Sequence, residues 1–150
     1  MIKKLQHTDL EMAKQIRAVF QVSYAVEAEL LKAVDFPPLQ RELESFISSS
    51  NDFFGYFEND TLAAVVEIAH RDTFLHIQSL VVAPKFFRRG IAGVVMEFVL
   101  KSFDTNLFMV ETGVANLPAI QLYKKYGFTE VKQWDTDFGI RKVRFELRQG

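Results

Sequence analysis

Apolar and polar positions alternate most clearly near the end of the chain. Val143, Phe145 and Leu147 alternate with charged residues, which predicts a half-buried final strand. Two earlier apolar runs, 53–57 and 61–69, are separated by three polar residues typical of a turn, and they predict a β-hairpin. The short segment 2–5 predicts a first strand.

Helical periodicity dominates the first third of the chain. Apolar residues recur at intervals of three and four over 10–20, and Thr8 with Glu11 has the spacing of a capping box, so we expect a helix to begin there. The segment 23–34 predicts a second helical piece. Two prolines then break the pattern, and a further short helix is predicted from Pro38.

The middle of the chain reads as a strand, a helix and a strand, over 74–82, 90–102 and 107–113. Such a unit predicts parallel strands joined by a right-handed crossover. A polar link is expected at 133–139. With no repeat or low-complexity tract, these elements predict one mixed α/β domain over 1–150.

The junction before helix 90–102 has the chemistry of an anion site. The first turn of a helix carries amide protons without internal partners, and the helix dipole adds partial positive charge there. Gly90, Ala92 and Gly93 would let a ligand approach the backbone, and Arg88 and Arg89 offer forked donors. Phosphate or pyrophosphate is the expected ligand.

Composition narrows the class of protein. The 150 residues are 49% hydrophobic and 25% charged with a net charge of −1, which is typical of a globular protein and gives no basic surplus for nucleic acid. The absence of cysteine excludes disulfides and thiolate chemistry, and three scattered histidines make a metal site unexpected. No apolar run is long enough to suggest a membrane span, so a cytoplasmic location is expected.

Two motifs, in order, resemble those of the GCN5-related N-acetyltransferase (GNAT) family. The first is the family's Q/R-x-x-G-x-G/A, matched by 87–92 (FRRGIA) except that Phe87 replaces the usual Gln or Arg. The second is N-x-x-A-x-x-x-Y-x-x-x-G-F, matched by Asn116, Ala119, Tyr123, Gly127 and Phe128. The resemblance implies a mixed central sheet of about six to seven strands flanked by helices, with two parallel strands that splay apart at a cofactor cleft.

The resemblance also implies acetyl-coenzyme A as the acetyl donor and coenzyme A as the product. The backbone of one splayed strand would pair with the pantetheine arm, and the following loop would hold the pyrophosphate. The residues implied in cofactor binding are Leu80, Val81, Val82, Arg88, Arg89, Gly90, Ile91, Ala92, Gly93, Asn116 and Tyr123.

The implied reaction is direct transfer of the acetyl group to a primary amine of a small molecule or protein, with Tyr123 as the acid that protonates the leaving thiolate. The base is left open among Glu67, Glu111, His76 and water. Glu67 is the first candidate, because a carboxylate inside an apolar strand is unusual.

The acceptor pocket is expected from the early helices, where Tyr24, Glu27 and Phe36 place an acid beside aromatic rings that would suit a cationic amine. Two other classes stay open: a non-catalytic acyl-coenzyme A sensor, and an α/β domain that binds another phosphate. The presence of Tyr123 favours catalysis. A homodimer is plausible because many relatives pair.

Overall fold

A computed structural model describes residues 1–149 of the chain. The strands are β1 (Ile2–Lys4), β2 (Asp52–Glu58), β3 (Thr61–His70), β4 (Leu75–Val82), β5 (Leu107–Gly113), β6 (Thr129–Asp135) and β7 (Arg141–Arg148). The helices are α1 (Leu10–Leu31), α2 (Leu43–Ile47), α3 (Ile91–Ser102) and α4 (Leu117–Lys125).

The strands form one seven-stranded sheet in the order β1-β2-β3-β4-β5-β7-β6. All neighbouring pairs are antiparallel except β4 and β5, which are parallel and are connected through α3. The predicted α/β class and the predicted parallel pair are therefore confirmed. The prediction that the domain extends over 1–150 stays a prediction, and its last residue lies outside the described ones.

Helices cover both faces of the sheet, and this explains the continuous apolar run of β3. Its residues from Leu62 to Ala69 are all buried. Val65 packs with residues of α1 and α2 on one face, whereas Ala64 and Val66 pack with residues of α3 on the other. A strand with both faces covered needs apolar residues at every position, so the absence of alternation there is expected.

The first helix differs from its prediction in two respects. It is a single helix of 22 residues, where two pieces were expected. It is capped by Asp9, whose carboxylate accepts a hydrogen bond from the amide of Met12 at 3.0 Å, and not by Thr8. It ends at Leu31, and the following residue, the C-cap Lys32, has the left-handed conformation with φ 54°.

Two further boundaries are corrected. The helix expected from Pro38 is a 3₁₀ turn over Pro37–Gln40 followed by the five-residue α2. Residues 133–135 of the predicted polar link belong to β6, an edge strand that pairs only with β7 in the described sheet. β6 is almost entirely exposed, and its mostly polar residues show no hydrophobic periodicity from which a strand could be predicted.

Candidate active site

A cleft opens where β4 and β5 separate. The two strands pair only through Leu75–Ile77 and Phe108–Val110, and the later residues of β4 have no partner in β5 within the described sheet. The cleft has a volume of about 790 Å³. The splayed parallel strands implied by the resemblance are thus present.

Several predicted site residues meet in this cleft although they are far apart in the sequence. It is lined by Tyr24, Glu27, Phe36, Glu67, Leu80, Glu111 and Tyr123. The residues 88–93 do not line it and lie beyond the end of β4, at the start of α3. His76 also lies outside the lining, and burial lowers the pKa of its imidazole.

The loop between β4 and α3 has an unusual backbone. Arg88 and Gly90 both have positive φ angles, 66° and 73°, and Gly90 is the residue that precedes the first turn of α3. A Cβ atom built on Gly90 would meet no atom within 4 Å, so the space beside this backbone is open. Left-handed residues before a helix turn successive amides toward one point, which is a favourable arrangement for an anion.

The two arginines of the loop differ in their surroundings. Arg89 pairs with Glu58 at 2.5 Å and lies over the ring of Phe86. Arg88 is exposed and makes no ion pair with any of residues 1–149. Arg88 is therefore the arginine that is available to an anionic ligand, while Arg89 fastens the loop to the end of β2.

Gly93 has a packing reason for its missing side chain. A Cβ atom there would lie 2.9 Å from the hydroxyl oxygen of Tyr126, which donates a hydrogen bond to the Gly93 carbonyl at 3.1 Å. The missing side chain of Gly93 therefore allows α3 to pack closely against Tyr126 at the C-terminal end of α4. A contact between Gly93 and a cofactor stays a prediction.

Tyr123 is the buried residue of α4 and packs between the rings of Phe128 and Phe145. Its ring is fixed by this packing, and no side chain of residues 1–149 hydrogen-bonds its hydroxyl. Burial, followed by the nearby Glu27 and Tyr24, raises the pKa of the Tyr123 phenol above its ordinary value. The phenol therefore holds its proton at neutral pH.

Asn116 connects α4 to the opposite wall of the cleft. Its side-chain oxygen accepts from the amide of Ala119 at 3.4 Å, so the predicted cap is confirmed. Its side-chain nitrogen donates to Glu27 Oε1 at 3.0 Å and to Thr112 Oγ1 at 3.2 Å. A contact between Asn116 and the cofactor stays a prediction.

The second half of α1 forms the wall that faces Tyr123. Tyr24, Glu27 and Leu31 recur at helical spacing and line the cleft. Gly113 of β5 allows this approach, since a Cβ atom there would lie 2.5 Å from a methyl group of Leu31. The hydroxyl of Tyr24 donates to Ser79 Oγ at 3.0 Å, and its ring packs against Phe36 with centroids 6.0 Å apart.

The carboxyl of Glu27 has an unusual acidity. Burial raises its pKa from 4.5 to about 7, although the charge of Lys142 and the hydrogen bond from Asn116 act in the opposite direction. An acid whose pKa lies near neutrality can accept and release protons at physiological pH.

This raised pKa predicts a pH-dependent effect of Glu27→Gln on stability. Because the folded-state pKa is above the unfolded value of 4.5, ionised Glu27 opposes folding above about pH 7 and has no such effect below pH 4.5. We expect the variant to melt at a higher temperature than the wild type at pH 8, and expect the advantage to disappear at pH 4. Glu29→Gln, on the exposed side of α1, is the control. An equal loss of stability at both pH values would contradict the prediction.

Glu67 is fully buried and both of its oxygens are occupied. Arg41 Nη1 donates to Oε1 at 2.7 Å and Nη2 to Oε2 at 3.1 Å, while Asn51 Nδ2 donates to Oε2 at 2.8 Å. The Arg41 guanidinium also stacks on the ring of Phe46, 4.0 Å from its centroid. This arrangement favours a structural ion pair, and the role of Glu67 as base stays a prediction.

Glu111, the second acidic candidate, is held in a comparable way. Its Oε2 accepts from Arg144 Nε at 3.1 Å and from Nη2 at 2.9 Å, and its Oε1 lies 4.0 Å from Lys142 Nζ. Arg41, Asn51 and Arg144 were not anticipated from the sequence. The only signal was indirect, since a buried carboxylate requires a cationic or hydrogen-bonding partner.

A membrane segment is not found among the described helices, none of which in residues 1–149 is long and apolar enough to cross a bilayer. The cytoplasmic location stays a prediction.

Known proteins share this fold. The ribosomal-protein-S18-alanine N-acetyltransferase of Escherichia coli superposes with a TM-score of 0.78 and 20% identity, covering 99% of this chain and 92% of that one. The PaiA N-acetyltransferase of Thermoplasma acidophilum, solved in complex with coenzyme A, superposes with a TM-score of 0.74 and 17% identity, covering 99% and 98%. At these identities the likeness is one of fold.

Sequence similarity extends along the chain. The chain is 33% identical over 148 residues to the UPF0157 protein YqkA of Bacillus subtilis. The aligned region covers 98% of this chain and 43% of YqkA. The chain therefore spans less than half of the length of that relative. The model of the acetyltransferase (GNAT) family matches residues 15–128. With three quarters of its residues inside that match, the chain belongs to the GNAT acetyltransferase family.

Proposed function

We propose that the chain transfers the acetyl group of acetyl-coenzyme A to the nitrogen of a primary amine. One observation carries the proposal: residues 78–80, in the unpaired half of β4, and Tyr123 line the same cleft. One wall thus offers a strand edge, and the other offers an acid that retains its proton.

The features of the cleft fit the donor substrate. The β4 backbone over Leu80–Val82 has no β5 partner in the described sheet, so its peptide groups can pair with the amide-containing pantetheine arm. The amides at the start of α3 and the side chain of Arg88 suit the pyrophosphate. Phe87, which is exposed, provides no polar group at the position where the family motif has Gln or Arg.

Two groups of the chain, a β4 amide and the Tyr123 phenol, take part in the proposed reaction. The amine attacks the thioester carbonyl directly, without a covalent enzyme intermediate. A β4 amide stabilises the developing oxyanion, and Tyr123 donates its proton to the sulfur as the carbon–sulfur bond breaks. The tyrosinate then recovers a proton from the nitrogen of the new amide.

Binding of acetyl-coenzyme A is the first consequence to measure. At a concentration of about one hundred times its Kd, the ligand should add about 2.7 kcal/mol to the free energy of unfolding, which for a chain of this size corresponds to a rise in Tm of about 5–10 °C. Thermal melting with acetyl-coenzyme A, with ATP and NAD as controls, makes the measurement. A rise caused equally by all three ligands would indicate a general phosphate site, and no rise would refute the proposal.

A non-catalytic acyl-coenzyme A sensor is the alternative that this experiment leaves. It predicts the same rise in Tm but no release of free coenzyme A in the presence of any amine. A thiol-reactive reagent, added to the protein with acetyl-coenzyme A and a panel of primary amines, separates the two functions.

A further inference from the structure

Three carboxylates line the cleft, and they are not equivalent. Glu67 is paired with Arg41, and Glu111 is paired with Arg144 and lies beside Lys142. Glu27 has no ion pair with any of residues 1–149, and its Oε1 is held only by the neutral amide of Asn116. Its Oε2 therefore remains available to a ligand in the cleft.

Asn116 fixes the position of Glu27 relative to Tyr123, the proposed acid. Asn116 caps α4, the helix that carries Tyr123, and it also hydrogen-bonds the Glu27 carboxylate of α1. Glu27 is close enough to raise the pKa of Tyr123 through its charge. An amine bound beside Tyr123 in this cleft would therefore lie near the Glu27 carboxylate.

We propose that Glu27 is the base of the reaction: it binds the incoming ammonium group and removes the proton that blocks nucleophilic attack. This assignment rests on the proposed acetyl transfer and goes beyond it, because it names the proton acceptor and the class of amines that depends on it, those that are protonated at neutral pH. Asn116 is then a positioning residue that holds one carboxylate oxygen and leaves the other for the amine.

The protons balance in this scheme. The ammonium transfers one proton to Glu27 and becomes a neutral amine, which forms the carbon–nitrogen bond. Tyr123 protonates the departing sulfur and regains a proton from the nitrogen. Glu27 finally releases its proton to solvent, so that each turnover yields an amide, coenzyme A and one proton.

The charged groups around Glu27 define its titration. Lys142 of β7 favours the ionised form, and Tyr24 and Tyr123 face it as neutral phenols with raised pKa values. Glu111 lies across the cleft but is neutralised by Arg144 and Lys142. The dependence of kcat/KM on pH should therefore show an ascending limb centred near pH 7.

A pair of amines of similar size tests the assignment. Ethylamine is protonated at neutral pH and needs a base, whereas 2,2,2-trifluoroethylamine is already neutral and needs none. We expect Glu27→Gln to lower kcat/KM for ethylamine at neutral pH by about 10²–10⁴-fold and to move the ascending limb from near pH 7 to the higher pH range in which ethylamine itself loses its proton. The rate with trifluoroethylamine should stay close to that of the wild type. Glu29→Gln is the matched control on the exposed side of the same helix.

An equal slowing of both amines would overturn the assignment, because a lost base cannot affect an amine that carries no extra proton. A limb moved to higher pH in Glu111→Gln or Glu67→Gln, with the limb still near pH 7 in Glu27→Gln, would also overturn it. A titration that needs no acceptor gives a second readout: carbon-13 NMR of labelled glutamate carboxyls in the coenzyme A complex. The Glu27 carboxyl signal is identified as the wild-type signal that the Glu27→Gln spectrum lacks, and it should titrate near pH 7. A Glu27 carboxyl that is already ionised at pH 5 would refute the proposal.

Failure of the proposed function has a different signature. If acetyl-coenzyme A does not bind in a calorimetric titration, acetyl transfer itself is refuted. If it binds and the wild type acetylates ethylamine, any disagreement in the variants concerns Glu27 alone.

Discussion

Replacing Tyr123 with phenylalanine is expected to lower kcat by about 10²–10⁴-fold, the contribution typical of a positioned general acid. The substitution removes one oxygen from a ring that is packed between Phe128 and Phe145, and it leaves that packing unchanged. No side chain of residues 1–149 loses a hydrogen bond, so the stability of the fold should be preserved. Steady-state kinetics with acetyl-coenzyme A and ethylamine, followed by release of free thiol, makes the measurement.

The loss should appear in kcat and not in the affinity for acetyl-coenzyme A. A general acid acts on the developing thiolate and contributes little to binding of the thioester, so Kd from calorimetry should be nearly unchanged. Tyr56→Phe, a tyrosine of β2 away from the cleft, provides the matched control. A variant of Tyr123 with full activity would show that water or another group protonates the thiolate.

The position of Tyr123 illustrates how much of the site the sequence could predict. The spacing from Asn116 to Phe128 is local, because a capping residue, a helix of nine residues and a terminal glycine follow one another along the chain. Local spacing determines which side chains share a helix face, so α4 and its buried tyrosine were predictable. The same holds for the parallel pair of β4 and β5, which follows from a strand, a helix and a strand in sequence.

Contacts between distant segments were not predictable in this way. Arg41 and Glu67 are 26 positions apart, and Asn116 and Glu27 are 89 apart. Nothing in the residues around Glu67 indicates which cation neutralises it, because that depends on how α1 and the turn after it cross the sheet. Glu27 and Glu67 both line the cleft, but the difference between them depends on the partner that each side chain has in the folded chain.

The pair formed by Arg41 and Glu67 gives the second large expectation, which concerns stability. Arg41→Met should lower the free energy of unfolding by about 3–5 kcal/mol, because it leaves a fully buried carboxylate without its cation. The methionine would retain much of the contact with Phe46, so the loss comes mainly from the unpaired charge. Urea unfolding at pH 7 measures it.

An exposed pair supplies the control for this measurement. Arg141 and Asp135 form an ion pair at 3.0 Å whose side chains are 47% and 77% exposed. Removing Arg141 should change stability by no more than about 1 kcal/mol, since solvent screens exposed charges. If Arg41→Met is no more harmful than Arg141→Met, the buried pair does not have the importance inferred from its burial.

The double variant Arg41→Met/Glu67→Leu separates structure from catalysis at this pair. Apolar residues of similar volume often replace a buried ion pair without loss of stability, so the double variant should recover most of the stability that Arg41→Met loses. It also removes the Glu67 carboxylate from the cleft, while Glu27 and its hydrogen bond to Asn116 are untouched. If Glu67 were the base, the protein would be folded and inactive. Because Glu67 is held from both oxygens and Glu27 is not, we expect the double variant to be folded and to acetylate ethylamine with the ascending pH limb of the wild type.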